Sequence, residues 1–486
     1  MLFNSYTFII YFLPIVFFLF LITKKNFIKY LFILSSLIFY SYSSSFQDTI
    51  ALIILISLNY IFYVYRVSIN KKIYFLIILF INLGFLGYFK YTNFILENFN
   101  FIFSSDFQFL DIYLPLAVSF YTFQQIIFHF ENFELNKKVD YVEYFFFITY
   151  FPQLIAGPIL RWSQFHPQLD GMNTSKLEKN ITVFFVIFSI GLFKKVVLAD
   201  GLGIFIDKFY GNENFNLITN SYYYLLISFA FSFQIYFDFS GYCDMAIAIS
   251  KLFGLNLPYN FNSPYKTKNI SDFWQNWHIT LSKFFRDFIF FKSLYFVKRY
   301  SNIFLSSLIS IIITFFISGL WHGASWNFVL WGLLNGAYLV VYFIFDKFLF
   351  TKFDFIFKFK IISFISIIFN FLIINLIWIF FRVTDINLAS NIIMKILSFE
   401  DYKLTNIINN FPIGPIQDIY ELFTYLIISF FICFSFPNSN RIFEYLDKNN
   451  NPKIYTNLIL IGSGFIFLIS ILSIASVPQK FIYYQF

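Results

Sequence analysis

Residues 304–332 read FLSSLISIIITFFISGLWHGASWNFVLWG, an apolar run that ends in one histidine set among three tryptophans and three glycines. The run up to Leu320 is long enough to enter hydrocarbon about 30 Å thick. Its end, at His322, breaks the apolar pattern where a plain span would continue. Similar runs recur along the 486 residues, of which 59% are hydrophobic, 25% aromatic and 12% charged. An ordinary soluble domain carries roughly 25% charged residues. The chain therefore reads as one polytopic membrane bundle and not as several soluble domains. Open sheets and lipid-exposed loops leave backbone groups without partners in hydrocarbon, so the fold class is all-α.

The first apolar run, FIIYFLPIVFFLFLI at 8–22, is a membrane-spanning candidate. It has no basic n-region before it and no small-residue cleavage site, so no cleaved signal peptide is expected. Cys243 and Cys433 lie far apart in apolar runs and make no disulfide framework. The net charge of +8 suits basic loops against an anionic lipid bilayer and needs no nucleic acid to explain it.

The loops give an orientation. Lys24, Lys25 and Lys29 follow the first span, Arg66, Lys71 and Lys72 the third, and Lys137 and Lys138 the fifth. The alternating loops, SYSSSFQD at 41–48 and TNFILENFNFIFSSDFQFLD at 92–111, carry no basic residue beyond Lys90 at the edge. The positive-inside rule then places the N-terminus outside and residues 24–29, 66–72 and 132–140 in the cytoplasm. Further spans are expected at about 181–200, 220–248, 302–320, 325–347, 361–381, 417–436 and 455–476.

Two segments depart from simple spans. YFFFITYFPQLIAGPIL at 144–160 is apolar, but Pro152, Gly157 and Pro158 cut it into pieces too short to cross. Such a broken or re-entrant segment survives at membrane depth only inside protein or against a watery cavity. Residues 251–299 carry charges throughout and contain SDFWQNWHITLSKFFRDFIFF at 271–291. Ser271 can cap a helix there, with Asp272 in its first turn. Phe273, Trp277, Leu281, Phe284, Phe285 and Phe288 recur at helical spacing, so one amphipathic interfacial helix is predicted. His278 stands beside that stripe and is a candidate for facing a cavity. FQIYFDFSGYCDMAIAI at 233–249 puts Asp238 and Asp244 in an expected span. With no nucleophile nearby, these acids are read as structural polar groups that satisfy a lysine or a free N–H.

The chemistry centres on His322. Glycine beside it permits close approach, and Trp321, Trp326 and Trp331 are spaced by five, which is no single packing stripe. A neutral imidazole there can take a proton from a hydroxyl as that hydroxyl attacks a carbonyl. A hydrogen-bonded core histidine is the bland alternative. His278 could orient His322 or hold the acyl carbonyl. His129 and His166 stand near the ends of apolar segments, where polar tips reach water, and are read as structural. No pair of histidines has metal-ligand spacing, so no metal is expected. No G-x-S-x-G, Walker loop or dinucleotide fingerprint occurs.

Taken together, YFPQLIAGPILRWSQF at 150–165, DFSGYCDMAIAISKLFG at 238–254, LPYNFNSPYKTKNISDFWQNWHITLSKFFRDFIF at 257–290 and GLWHGASWNFVLWG at 319–332 resemble the membrane-bound O-acyltransferase family. LGFLGYFKYTNFILENFN at 83–100 and the terminal FIYYQF fit as well, so the likeness runs the length of the chain. It is nearest to the bacterial branch that acts in alginate and peptidoglycan O-acetylation and teichoic-acid D-alanylation. The resemblance implies a ring of tilted helices around a thinned centre, with a cytoplasmic funnel meeting an opening on the other face. It implies His322 as catalytic base and His278 as second active-site histidine. Trp321, Gly323, Trp326 and Asn327 would line the substrate tunnel with Trp274 and Trp277. Pro152, Gln153, Gly157 and Pro158 of the broken segment would complete it.

Likeness to this branch implies an inner-membrane enzyme that takes acetyl from cytoplasmic acetyl-CoA, with no tightly bound cofactor. It passes the group across the membrane to a periplasmic or membrane-anchored SGNH-type partner that modifies a surface polysaccharide, peptidoglycan before alginate. D-alanyl transfer from a carrier protein is the alternative within the branch. A transporter or polymer-export channel is the alternative outside it, although no repeat of FPQLIAGP or WHGASW supports one. In the tail, VPQKFIYYQF at 477–486, Tyr483 is a candidate acyl relay, against the plain reading of an interfacial aromatic anchor. The chain is divided into N-terminal helices (1–140), a catalytic core (141–350) and C-terminal helices (351–486).

Overall fold

The computed structural model describes residues 1–134, 138–172, 176–211, 221–350, 359–398, 416–448, 452–475 and 482. Among them every regular element is a helix. Eight helices are long and apolar enough to cross a membrane, among them Phe46–Val64, Lys71–Phe103, Leu177–Tyr210, Ile303–His322 and Trp326–Leu349. Their outer faces carry side chains such as Phe80, Leu472 and Phe465, all strongly exposed and suited to lipid. The first two expected spans are shorter than anticipated. Thr7–Ile22 and the 16-residue Ile28–Ser43 fall below the roughly 20 residues that a perpendicular crossing takes.

Ser221–Leu252 is an interior pillar of 32 residues. Every residue from Ile235 to Leu252 is buried, and the charged ones among them, Asp238, Asp244 and Lys251, are each held in an ion pair. It lies directly against Leu177–Tyr210 at two glycines. A Cβ added to Gly191 would sit 2.7 Å from the Gly241 carbonyl oxygen, and one on Gly241 the same distance from that of Gly191. This close approach sets Lys194 against Asp244 at 2.7 Å and Lys195 against Asp238 at 2.7 Å.

The broken segment is seen as two short helices, Tyr141–Thr149 and Phe151–Leu154, followed by non-helical chain up to Arg161. Pro152 falls in the first turn of the second helix, where its missing N–H costs nothing. The Gln153 amide donates to the Phe147 carbonyl at 2.6 Å and so satisfies a group that the break leaves open. Residues 151–158 are all buried, so this irregular backbone is shielded by protein.

The single interfacial helix predicted at 271–291 is not what forms. Ile270–Asn276 and Ile279–Phe285 are separate helices, with the chain bent at Trp277 and His278. Asn269, not Ser271, is the cap, accepting the Asp272 N–H at 2.8 Å. Phe273, Trp277, Leu281, Phe284 and Phe285 are all buried, but in two protein packing environments instead of one lipid-facing stripe.

Candidate active site

His322 is the last residue of Ile303–His322 and is 5% exposed. Its ring meets Trp321, Trp331 and Phe381 at centroid distances of 4.7, 4.9 and 5.3 Å. The helix stops because the chain turns extended at Gly323 before restarting at Trp326. A Cβ on Gly323 would lie 2.1 Å from the Phe328 ring, so only glycine fits the turn. Behind it, Gly319 and Gly332 bring the two helices into backbone contact.

An α-helix leaves its last four carbonyls without intrahelical donors. Here each finds one. Gly319 O accepts from Gly323 N–H at 3.4 Å and Leu320 O from the Tyr91 hydroxyl at 2.9 Å. Lys90 Nζ donates to Trp321 O at 2.5 Å and to His322 O at 3.3 Å.

His278 occupies the bend between the two short helices and is 1% exposed. Its φ of 42° is left-handed, a conformation that costs a non-glycine residue about 1–3 kcal/mol and tends to occur at functional sites. Asn260 holds the strained chain. Its carbonyl accepts the Ile279 N–H at 2.9 Å, and its side-chain oxygen accepts the Thr280 hydroxyl at 2.7 Å. The Thr280 oxygen in turn accepts the Ile159 N–H at 3.1 Å, which ties the broken segment to the histidine bend.

The two histidines are linked through aromatic side chains. Phe120 lies 6.4 Å from the His278 ring and 5.6 Å from that of Trp321. On the other side a chain of indoles runs from Trp277 through Trp378 to Trp331, which touches His322.

Two cavities approach this point from opposite ends of Ile303–His322. One of about 440 Å³ is lined by His322, Trp321, Lys90, Phe120 and Ile155, together with the 112–117 loop. The other, about 550 Å³, follows the helix from Phe304 to Ser318, one turn short of His322. It is walled by Trp274, Ile279 and Phe315, with Lys283 and Arg286 on its rim. His322 thus stands in the wall of one cavity and one turn beyond the end of the other.

Other predicted residues have different places. Trp326 is 54% exposed and gives its indole N–H to Asn98 at 2.8 Å. Asn327 is buried and donates to the Val383 carbonyl. Pro152, Gln153, Gly157 and Pro158 are buried and line neither of these two cavities, although Ile155 of the same stretch lines the first. Asp244 pairs with Lys194 and accepts the Ser439 hydroxyl at 2.8 Å. Asp238 faces Lys195 and accepts the backbone N–H of Ile482 at 2.9 Å. Tyr483 lies outside the described residues.

His129 is fully buried instead of reaching water, with Tyr74 at 2.5 Å and Asn59 at 3.1 Å. The side chain of His166 is 50% exposed, 3.6 Å from Glu143. Sequence reasoning passed over Lys90, Tyr91 and Asn260. A lysine inside the apolar run LGFLGYFKY was the available signal, because an ionisable group in a span calls for a reason.

The described residues thus form a polytopic helical bundle with a buried histidine in the wall of one cavity and a turn from a second. The MBOAT, membrane-bound O-acyltransferase, family matches residues 7–384, and the chain belongs to that family. It is an O-acyltransferase. The peptidoglycan O-acetyltransferase of Helicobacter pylori is 34% identical over 436 residues, 82% of this chain and 80% of the relative. A probable alginate O-acetylase of Pseudomonas putida is 30% identical over 361 residues, 70% of each chain. The teichoic acid D-alanyltransferase of Bacillus subtilis is 29% identical over 239 residues, 48% of this chain and 60% of that protein.

Proposed function

We propose that the protein takes acetyl from acetyl-CoA in the cytoplasm and passes it across the inner membrane for O-acetylation of a cell-surface polysaccharide, peptidoglycan in the first place. The observation that carries this reading is buried His322 in the wall of one cavity, with a second cavity following its helix to within one turn of it. With the N-terminus outside, the 550 Å³ cavity belongs to the cytoplasmic half, where Lys283 and Arg286 suit an anionic thioester carrier. The 440 Å³ cavity then belongs to the outer half, beside the loops that carry no basic residues.

In the reaction, neutral His322 accepts the proton of an attacking hydroxyl while the oxygen adds to the thioester carbonyl. Collapse of the adduct expels the thiolate, which recovers the proton from the imidazolium, leaving an O-acetyl ester and free coenzyme A. His278 holds or orients the acyl carbonyl from its fixed bend. The first hydroxyl is that of Tyr483, which relays acetyl to a periplasmic SGNH-type partner. The hydrogen bond from Ile482 to Asp238 supports this, since it anchors the neighbouring residue in the core, on the helix whose Phe239 touches His278 at 4.6 Å.

Peptidoglycan is favoured because the relative acting on it matches over 82% of this chain, against 48% for the D-alanyltransferase. The test is release of free thiol from acetyl-CoA by purified protein, followed by mass spectrometry of the C-terminal peptide. Thiol release with an acetylated Tyr483 supports the proposal. Turnover only with a D-alanyl carrier protein moves the chain to the D-alanyl branch. Full activity of Tyr483→Phe removes the relay.

A further inference from the structure

The geometry points to Lys90 and Tyr91 as positioning residues that fix the His322 backbone and hold its imidazole between the two cavities. The inference deepens the reading of His322 as base and rests on it for its kinetic part alone. Between them these two side chains donate to three successive carbonyls, those of Leu320, Trp321 and His322, at 2.9, 2.5 and 3.3 Å. They reach across more than 200 residues of sequence to do so.

The local backbone explains how two adjacent residues reach the same helix end. In an ordinary α-helix, neighbours point about 100° apart. Gly87–Tyr91 is instead a wide helical turn with i→i+5 character, inserted between Lys71–Leu86 and Thr92–Phe103. Such turns shift the side-chain register and are frequent at functional sites. Here the turn sets Lys90 and Tyr91 against one target.

The chemistry of the pair fits the task. A cation at a helix C-terminus meets the negative end of the macrodipole and satisfies carbonyls that the helix cannot. Among the described residues, no carboxylate lies within ion-pair distance of Lys90, so its partners are the carbonyls of the histidine turn. Lys90 also lines the cavity that His322 lines. Losing the clamp frees the last turn next to Gly323, where the chain has already left the helix. Misplacement of a reacting group by about 1 Å can cost 10²-fold in rate without weakening substrate binding.

The test compares Lys90→Met, Lys90→Arg and Tyr91→Phe in the full-length protein in detergent. Two readouts are taken per folded molecule. One is kcat and KM for thiol release from acetyl-CoA. The other is the rate at which diethyl pyrocarbonate modifies His322, followed by mass spectrometry, with exposed His166 as internal control. The expected result for Lys90→Met is a kcat lowered about 10–100-fold with KM within about twofold. His322 modification rises while that of His166 stays constant. Lys90→Arg restores most of the rate, and Tyr91→Phe gives an intermediate loss.

Unchanged kcat and unchanged His322 modification in folded Lys90→Met would overturn the clamp. So would a change in KM alone. If Lys90→Met does not fold, Tyr91→Phe decides by the same two readouts, since it removes one bond and keeps the ring. A wild type without turnover whose His322 modification still responds to Lys90→Met would sink the kinetic reading and leave the clamp standing.

Discussion

At the level of single residues, His322 and His278 are placed by opposite means. His322 ends a regular helix whose closing carbonyls are all satisfied, and Gly323 turns the chain where no side chain fits. Gly323→Ala should cost about 1–3 kcal/mol through overpacking on Phe328, read as a fall in the thermal unfolding midpoint in detergent. His278 depends on a left-handed φ of 42°. Asparagine tolerates that conformation and valine does not. His278→Asn is therefore expected to keep the wild-type midpoint while losing at least about tenfold in acyl transfer. His278→Val should lower the midpoint as well. An active, fully stable His278→Val would show that neither the bend nor the imidazole matters.

At the level of elements, the broken segment and the histidine bend form one unit. Arg161, at the end of the broken stretch, pairs with Asp287 at 2.6 Å and with Glu131 at 3.0 Å. Burial pushes the Asp287 carboxyl up, but hydrogen bonds and charge from Arg286 and Arg161 outweigh it and hold the group below its ordinary range. A carboxylate with a lowered folded-state pKa stabilises above its unfolded value of about 3.9 and loses that contribution as pH falls through the folded value. Asp287→Asn should thus lower the midpoint at neutral pH. Its difference from wild type should vanish on acidification, once the wild-type carboxyl is protonated; a difference that persists there would contradict the assignment. The break at 150–161 was legible because prolines and glycine announce it. The bend at His278 was not, because Phe273, Trp277, Leu281 and Phe284 keep helical spacing straight through it. Two helices buried on several faces imitate one helix with a single stripe. Asn269 and Ser271 are both good caps by residue type, and the residue types alone do not choose between them.

At the level of the whole molecule, composition and apolar run lengths were enough for an all-helical membrane bundle, and the glycines around His322 announced the helix end at which it stands. Long-range contacts were beyond the sequence. Nothing local says that Lys90 meets residues 321 and 322, or that the chain at Ile482 returns to Asp238. The orientation can be checked with single cysteines, since Cys243 and Cys433 are buried. Cysteine at Ser105 should react with an impermeant maleimide added to intact cells, and cysteine at Ser68 only after the cells are opened; the reverse pattern would invert the two cavities.

Whether His322 acts as the base is decided by single-turnover transfer from labelled acetyl-CoA in purified wild-type protein and in His322→Ala of matched thermal stability. The expected result is thiol release and label on an oxygen ester in the wild type, with the rate in His322→Ala lowered by about 10²–10⁴. A stable His322→Ala that turns over at the wild-type rate would contradict it.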